Sequence, residues 1–238
     1  METYSEPVPG GPVLVLSPHL DDAVFACGRL LASVPAPTVA TIFAGSPAPG
    51  APLTEWDRAA GFRPGDDVIG ARREEDRLAL AILGATPLWL EFLDRQYGPG
   101  VRPDEIAREL DGVLARCAPG AVFFPLGLFH SDHHLTHEAA LLLLGDYPEL
   151  HWFAYEDRLY RRLPGLCQDK IARLRRVGLL PRPASFREAA GAAARKGRAV
   201  RRYRSQLRAL ATPGRPGHQD VFGGERYWRL ATRMVACA

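Results

Sequence analysis

The stretch Val13-Leu14-Val15-Leu16-Ser17-Pro18-His19-Leu20-Asp21-Asp22 decides the fold of this chain. It begins with four consecutive apolar residues, a pattern typical of a parallel strand that is buried on both faces. The segment 23–32 that follows has the pattern of a helix. One histidine and two aspartates therefore lie where a strand passes into a helix, and this edge of an open α/β sheet is where ligands bind.

A second stretch, His130-Ser131-Asp132-His133, has an equivalent position. The apolar run 121–124 precedes it, and residues 138–144 have the pattern of a helix. Four of the seven histidines lie between residues 130 and 137. If the two strands are near each other in one sheet, the two loops face a common point, and this concentration of imidazoles and carboxylates indicates one metal site.

The rest of the pattern predicts a Rossmann-like α/β fold with a mostly parallel sheet flanked by helices. Further strands are predicted at 38–43 and 88–92, further helices at 71–83 and 104–116, and a long irregular loop at 44–70.

Beyond residue 145 the pattern becomes less regular. We expect a strand at 152–155, one helix at 188–210 whose basic residues form a solvated face, and an amphipathic piece from residue 225. We therefore expect a catalytic core at 1–145 that carries the metal site. A C-terminal portion at 146–238 is expected to pack on this core and complete the substrate pocket.

Composition limits the function classes. The chain has 238 residues, 47% of them hydrophobic, enough for a substantial core, and its net charge of +3 is too small to indicate a nucleic-acid partner. No apolar run approaches the roughly 20 residues of a membrane span. Cys27, Cys117, Cys167 and Cys237 are scattered, and no secretory leader precedes residue 13, so we expect a cytoplasmic protein with reduced thiols. The sequence leaves the oligomeric state open.

The spacing within the two stretches suggests a ligand set. His19 and Asp22 stand three residues apart, as do His130 and His133, so each pair can point the same way from a turn that enters a helix. A set of His19, Asp22 and His133 would leave a fourth zinc position open for water, which is the arrangement of catalytic zinc sites. Fe²⁺ or another divalent ion also suits two imidazoles and one carboxylate.

The neighbouring residues would then carry proton chemistry. Asp21, which this ligand set does not use, is placed to act as general base. His130 would stabilise an oxyanion or protonate a leaving amine. Asp132 would hold the other ring nitrogen of His130 and favour its imidazolium form.

Two rival ligand pairs stay open on spacing alone. His133 and His137, and likewise His130 and His134, stand four residues apart and would bind a metal from one helix face. In the metalloprotease helix a Glu directly follows the first histidine of such a pair, and neither pair here has a Glu at that position.

The two stretches resemble the motifs of a known family. Pro18-His19-Leu20-Asp21-Asp22 is similar to the Pro-His-Pro-Asp-Asp-Glu motif of the LmbE-like, or PIG-L, zinc-dependent N-deacetylases, and His130-Ser131-Asp132-His133 resembles their His-Pro-Asp-His motif. The resemblance covers about residues 12–145 and implies a Rossmann-like sheet that does not bind a nucleotide.

The resemblance also implies roles for individual residues. It gives His19, Asp22 and His133 as zinc ligands, Asp21 as base and His130 as the residue that stabilises the oxyanion. Arg72 and Asp94 match the substrate-binding arginine and the sugar-binding acid of the family.

The chain departs from the family motifs at several positions. Leu20 and Ser131 replace prolines, Ala23 replaces the acid after Asp-Asp, and Leu128 leaves no hydroxyl where some members offer one. If the missing acid orients a ligand in other members, another group must substitute for it here.

The resulting hypothesis is a zinc-dependent hydrolase that removes an acetyl or another small acyl group from an amino-sugar substrate, in secondary-metabolite or cofactor biosynthesis. One alternative is an amidase that acts on a thiol conjugate of an amino sugar. The other is a non-catalytic metal-binding or sugar-binding module.

Overall fold

The computed structural model describes residues 7–215 and 217–231. Their regular elements alternate between strands and helices through the first two thirds of the chain. The strands are β1 Val13–Ser17, β2 Thr38–Thr41, β3 Thr86–Trp89, β4 Ala121–Pro125, β5 His151–Tyr155, β6 Arg182–Ala184 and β7 Tyr227–Leu230. The helices are α1 Asp22–Leu31, α2 Glu55–Ala60, α3 Val68–Leu83, α4 Pro103–Cys117, α5 Ser131–Asp146, α6 Leu166–Arg176, α7 Ala192–Val200 and α8 Arg204–Leu210.

The strands form one sheet in the order β3-β2-β1-β4-β5-β7-β6. The first five are parallel, while β7 runs antiparallel to both of its neighbours. This order reverses direction between β1 and β4, and ligands of doubly wound sheets bind at such a switch point. The prediction of a Rossmann-like, mostly parallel sheet flanked by helices is confirmed.

The alternation of side chains along β1 explains why both faces of the sheet are covered. Val13 and Val15 pack into a core that includes α1, α3 and α7, whereas Leu14 and Leu16 pack into the core with α4 and α5. Since β1 and β4 are central, all of their residues are buried. Continuous apolar strands are expected in this environment.

The prediction of an irregular loop over residues 44–70 is wrong in one respect, because this segment contains helix α2. Thr54 begins this helix with a capping box, in which its side chain accepts the Asp57 N–H and the Asp57 carboxylate accepts the Thr54 N–H. The Thr-x-x-Asp spacing was a usable signal for this helix. Helix α3 also starts earlier than predicted, with Asp67 as its N-cap, and it ends at Gly84 in the left-handed conformation.

The single helix predicted at 188–210 is two helices. The chain breaks between α7 and α8, where the buried Tyr203 ring packs on Phe25 and its hydroxyl donates to Asp76 (2.7 Å). A continuous helix pattern gave no sign of this tertiary contact.

The basic residues of this region have two different environments. Five are exposed as predicted: Arg198, Arg201, Arg202, Arg204 and Arg208. By contrast, Lys196 is buried and pairs with Glu225 at 2.8 Å, and Arg195 donates to the carbonyls of Ile82 and Ala32. The last amphipathic piece is the antiparallel strand β7.

The cysteines, the membrane-spanning potential of the helices and the division of the chain at residue 145 were also addressed by the sequence. Cys27, Cys117 and Cys167 are free thiols, while Cys237 lies outside the described residues. Among the helices of the described part of the chain, none has the length and apolar character needed to cross a bilayer. Strands β5 to β7, which follow residue 145, continue the same sheet, and the division of the chain at that residue stays a prediction.

Candidate active site

Two loops at the switch point bring the predicted residues together. The first leaves β1 and enters α1, and Ser17 holds its shape because its Oγ donates to the His19 carbonyl (2.7 Å) and accepts the Ala23 N–H (2.9 Å). The second leaves β4 and enters α5. Since β1 and β4 are hydrogen-bonded neighbours, the two loops meet above the carboxyl ends of their strands.

Two of the three predicted metal ligands, His19 and His133, converge on an oxygen of the third, Asp22. Asp22 Oδ2 lies 3.1 Å from His19 Nδ1 and 3.2 Å from His133 Nε2. The His19 N–H also donates to this oxygen (3.0 Å), which fixes the carboxylate in place. Two ligands bound at about 2.0–2.1 Å to a tetrahedral metal lie roughly 3.3 Å apart. The distance from Asp22 Oδ2 to each ring nitrogen is therefore compatible with a shared divalent metal ion.

A carboxylate holds the outer nitrogen of each of these two rings. His19 Nε2–H donates to Asp132 (3.0 Å), and His133 Nδ1–H donates to the buried Asp157. Such outer partners fix the tautomer of a metal-binding histidine and increase its basicity. Asp132 and Asp157 are therefore the carboxylates that orient the two rings in this chain, where Ala23 offers none.

The contact predicted between the Asp132 carboxylate and His130 is wrong. That carboxylate accepts from His19 and from the Arg95 N–H (3.0 Å), while His130 Nδ1 accepts the backbone N–H of Asp132 (3.2 Å). The reason is local: His130 is the N-cap residue of α5, so its ring turns back to the first backbone N–H groups of the helix. The bond leaves Nε2 as the donor of the neutral ring.

The surroundings of His130 oppose the imidazolium form predicted for it. Burial, together with the nearby His19 and His133 rings, lowers the pKa of His130 to about 4. The ring is therefore neutral near pH 7 and acts as a hydrogen-bond donor through Nε2.

Asp21 differs from its neighbour Asp22 in having no fixed partner. It stands at the N-cap of α1, yet its side chain accepts no hydrogen bond from that helix or from other groups within residues 7–215 and 217–231. Burial and the Asp22 carboxylate raise the pKa of Asp21 to about 7. A buried carboxyl without partners beside a candidate metal site is suited to taking up a proton near neutral pH.

The charges of the site favour a cation. Burial alone would lower the pKa of His19, but Asp94, Asp132 and Asp22 outweigh it and raise the pKa well above its ordinary value. The two imidazoles share their surroundings with five carboxylates, those of Asp21, Asp22, Asp94, Asp132 and Asp157. This negative charge is compensated when a divalent ion binds.

Arg72 and Asp94, which the resemblance proposes for substrate binding, lie side by side. Their closest nitrogen and oxygen atoms are 3.8 Å apart. Gln96 donates to both oxygens of Asp94, through its backbone N–H and its side chain. Arg72 is 4% exposed, and its Nε has no hydrogen-bond partner in the described chain, so this guanidinium has free donor capacity.

The rival histidine pairs do not form a metal site among the described residues. His137 Nδ1–H donates to the Pro125 carbonyl (2.9 Å), and its ring packs on Phe124 on the other side of the second loop. Two sets of three side chains have donor atoms within 4.8 Å of one another. One is His19, His130 and His133, and the other is His19, Asp94 and Asp132. Neither includes His134 or His137, and neither includes Asp22, which contacts His19 and His133 through one oxygen.

A single cavity of about 780 Å³ contains most of these groups. The predicted residues that line it are His19, Asp21, Asp22, Arg72, Asp94, His130 and His133. Asp132 lies behind His19 and does not line it. The remaining wall includes Trp56 from α2 and residues from the C-terminal part, among them Arg158, Tyr160 and Gln206.

Sequence reasoning missed several residues in and behind this wall. Arg158 lines the cavity, and the buried Asp157 lies behind it; both lie within three residues of the end of β5. The position after a predicted strand was therefore a signal for Asp157. Nothing in the local pattern indicated Phe129 or Tyr160.

Comparison with known proteins agrees with this geometry. Residues 14–144 match the model of the PIG-L family, described as GlcNAc-PI de-N-acetylase. The chain belongs to the PIG-L family. The matched segment contains every predicted ligand and both motif stretches, so the recognition made from the sequence is confirmed, and the chain is an N-deacetylase of this family.

Solved structures resemble this member of the family along nearly its whole length. A deacetylase triple mutant from the teicoplanin biosynthetic pathway is 26% identical, with a TM-score of 0.77 over 94% of this chain and 100% of the other. The A40926 pseudoaglycone deacetylase is 28% identical, with a TM-score of 0.74 over 92% and 97% of the two chains.

The fold also occurs with other chemistry. The 4-carboxy-2-hydroxymuconate hydratase from Pseudomonas putida has a TM-score of 0.57 over 95% of this chain and 98% of its own, at 19% identity, which shows a shared fold alone. A comparison with curated protein sequences finds no match. The chemistry of this PIG-L member must therefore be argued from its site.

Proposed function

We propose that this PIG-L member is a zinc-dependent hydrolase that removes an acetyl or another small acyl group from the nitrogen of an amino sugar within a larger conjugate. The observation that carries the proposal is the convergence of His19, Asp22 and His133 beside the free carboxylate of Asp21. The two deacetylases of antibiotic pathways described above support the substrate class, because they are similar to this chain over nearly its whole length.

His19, Asp22 and His133 would hold the metal. A divalent ion bound there supplies Lewis-acid chemistry, which polarises an amide carbonyl and makes water more acidic. Zinc suits the two imidazoles and one carboxylate, and Fe²⁺ is the second metal to test.

Asp21 is the proposed general base. Its carboxylate takes a proton from the attacking water and returns it to the departing amine, so that amide and water become amine and carboxylic acid. A pKa of about 7 supports both steps, since the group then accepts and releases a proton at neutral pH.

His130 is the proposed donor to the oxyanion. Its neutral ring, with Nδ1 engaged by the backbone N–H of Asp132, offers Nε2–H to the developing negative charge. Asp132 acts through His19, whose ring it orients.

Arg72 and Asp94 are the proposed substrate-binding pair. Sugar hydroxyls both donate and accept hydrogen bonds, and this adjacent cation and carboxylate offer both functions. The unpartnered Nε of Arg72 supports the assignment, because a buried donor without a partner is costly unless a ligand satisfies it.

The role assignment is tested with Asp21→Asn and Asp22→Ala. Asp21→Asn keeps the metal and loses activity by about 10²–10⁴-fold, because the base is lost while the ligands remain. Asp22→Ala loses the metal. Metal content after dialysis and acetate release are measured for both, with the exposed Asp146→Asn as control. Equal metal content in the first two variants contradicts the division of roles between Asp21 and Asp22.

A further inference from the structure

An exposed aromatic ring stands directly before the second motif. Phe129 is 65% exposed and is the one aromatic residue among the six large apolar side chains that the described chain leaves exposed. It lines the cavity next to His130, and so does Leu163, which is 42% exposed. Exposed apolar side chains that cluster at a binding site indicate an apolar ligand.

A strained turn presents this ring. The His130 N–H donates to the Leu128 carbonyl (2.7 Å) across Phe129, whose φ is 60°. This is a γ-turn with positive φ, which is rare and strained, and a bulky residue seldom occupies it. Strain of this kind persists where the surrounding structure enforces it, and it concentrates at functional sites.

A second turn of the same kind follows the neighbouring strand β5. The Tyr160 N–H donates to the Arg158 carbonyl (2.8 Å) across Leu159, which has φ 71° and ψ −51°. The two turns follow the adjacent strands β4 and β5 and bring Phe129 and Tyr160 into a stack, with ring centroids 5.2 Å apart and an angle of 27°.

Asp157 connects this pair to the metal site. Its carboxylate accepts the Leu128 N–H (3.2 Å) at the start of the first turn and also accepts from His133. The ring of Tyr160 stands edge-on to that of His133 at 5.4 Å. The aromatic pair is therefore fixed relative to the proposed reacting centre.

We propose that Phe129, Tyr160 and Leu163 form a platform that binds an apolar, ring-bearing aglycone of the amino sugar. This inference rests on the proposed function and specifies its substrate class. The cavity of about 780 Å³ is in the upper part of the range of roughly 300–1,000 Å³ in which proteins enclose drug-sized ligands. It has room for a group beyond the sugar.

The position of the platform favours the aglycone over the acyl group as its occupant. The amide must reach the buried floor beside Asp21, whereas Phe129 and Leu163 are exposed at the rim. When the amide lies at this floor, the aglycone on the neighbouring anomeric carbon is the group positioned to extend to the rim. Stacked aromatic rings bind flat apolar groups through offset or edge-to-face contacts.

The test compares phenyl and methyl glycosides of the same amino sugar. Acetate release is measured on the N-acetyl glycosides, and binding to the metal-loaded enzyme is measured by calorimetry on the corresponding free amines. The variants are Phe129→Asn, since asparagine tolerates the left-handed backbone, and Leu163→Ala. The matched control is Leu142→Ala on α5, which is 52% exposed and does not line the cavity.

We expect the enzyme to favour the phenyl glycoside by about tenfold or more, because the platform buries the phenyl ring. Phe129→Asn abolishes most of this preference, Leu163→Ala reduces it about threefold, and Leu142→Ala leaves it unchanged. The proposal is overturned if the wild-type enzyme hydrolyses and binds both glycosides equally well. It is also overturned if Phe129→Asn and Leu163→Ala both keep the preference for the phenyl glycoside. The same reaction is also measured on glycosides with longer N-acyl chains. If the platform variants lose activity only on these substrates, the platform is overturned, and the residues contact the acyl group instead. A phenyl preference in binding without any acetate release supports the platform and contradicts the proposed deacetylation.

Discussion

Asp157 is the residue whose importance is clearest from the structure and least evident from the motifs. It is buried, it accepts from His133 Nδ1–H, and it fixes the loop before His130 through the Leu128 N–H. We expect Asp157→Asn to weaken metal binding by about 10–100-fold, since an outer carboxylate both orients its histidine and makes it a stronger ligand.

Competition with a chromophoric chelator measures this change in metal affinity. The exposed Asp146→Asn serves as the control for loss of one negative charge. Unchanged affinity in Asp157→Asn would mean that His133 does not bind the metal or does not need this partner.

The pH dependence of catalysis tests Asp21. Because burial and Asp22 raise the pKa of Asp21 to about 7, its protonated form accumulates as the pH falls, and this form cannot act as a base. A bound cation shifts that pKa downward. We therefore expect kcat/KM to decrease below a midpoint at or under pH 7. A rate that declines only on the alkaline side, with no loss down to pH 4, contradicts the role of Asp21.

At the scale of single residues, the sequence predicted which side chains come together better than it predicted their hydrogen-bond partners. His19, Asp22 and His133 could be proposed as a group because each motif is local, and the structure places them in contact; their role as metal ligands stays a prediction. The partner of Asp132 could not, because its contact with His19 joins two loops that are separated by more than a hundred residues.

Among the elements, helix α3 carries a buried carboxyl that makes its docking depend on pH. Asp76 accepts from Tyr203 at the junction of α7 and α8 (2.7 Å) and from Trp89 in β3 (2.8 Å). Burial outweighs these bonds and raises the pKa of Asp76 to about 6. The folded state therefore binds a proton between about pH 4 and 6 that the unfolded state has already released.

The contribution of the Asp76 carboxyl to the unfolding free energy is complete below about pH 4, and it is lost as the pH rises through 6. The side chain of Asp76→Asn does not titrate. As the pH rises from 4 to 6, we therefore expect the unfolding free energy of this variant to increase by about 2–3 kcal/mol relative to that of the wild type. Urea denaturation of both proteins from pH 4 to pH 7 measures the difference. A difference that does not change with pH excludes a raised pKa at Asp76.

Helix α7 is held by a buried ion pair. Lys196 donates to Glu225 (2.8 Å) and to the Phe25 carbonyl (2.7 Å), and its stem crosses Gly28 of α1, where a Cβ would lie 2.7 Å from the lysine chain. Lys196→Ala leaves the Glu225 carboxylate buried without its cation, which costs about 3–5 kcal/mol.

The control for this variant is Arg198→Ala on the exposed face of the same helix. We expect this second change to alter stability by no more than about 0.5 kcal/mol. Similar losses in both variants, measured by chemical denaturation, would show that the loss in Lys196→Ala does not come from the buried ion pair.

Some elements are determined by the local sequence, and others depend on tertiary contacts. Strands β1 and β4 were predictable because a run of buried apolar residues is a local signal. The break at Tyr203 and the stacking of Phe129 on Tyr160 were not, since each depends on which strand or helix lies beside it.

For the whole molecule, the strand order explains why two distant motifs form one site. The strand order reverses between the parallel neighbours β1 and β4, so helices α1 and α5 pack on opposite faces of the sheet, and the two loops that lead to them border one crevice. The sequence indicated the alternation of strands and helices, but the antiparallel pair β6 and β7 is set by long-range pairing with β5.

Metal binding at this crevice should also stabilise the entire fold. His19 and His133 come from different loops. A ligand that binds only the folded state raises the free energy of unfolding by RT ln(1 + [L]/Kd), and the unfolding temperature rises with it. We expect removal of the metal with a chelator to lower the Tm, and we expect Zn²⁺ to restore it. Asp22→Ala should show neither change, and a response to Zn²⁺ equal to that of the wild type would place the metal elsewhere.

The central claim is that a metal held by His19, Asp22 and His133 supports hydrolysis of an N-acyl amino sugar. It is tested most directly by NMR detection of acetate from a phenyl glycoside of N-acetylglucosamine, before chelation, after chelation and after addition of zinc. We predict equal amounts of acetate and free amine, none after chelation, and recovery with zinc. A protein that binds one equivalent of metal at these residues and releases no acetate from a panel of N-acyl amino sugars contradicts the account.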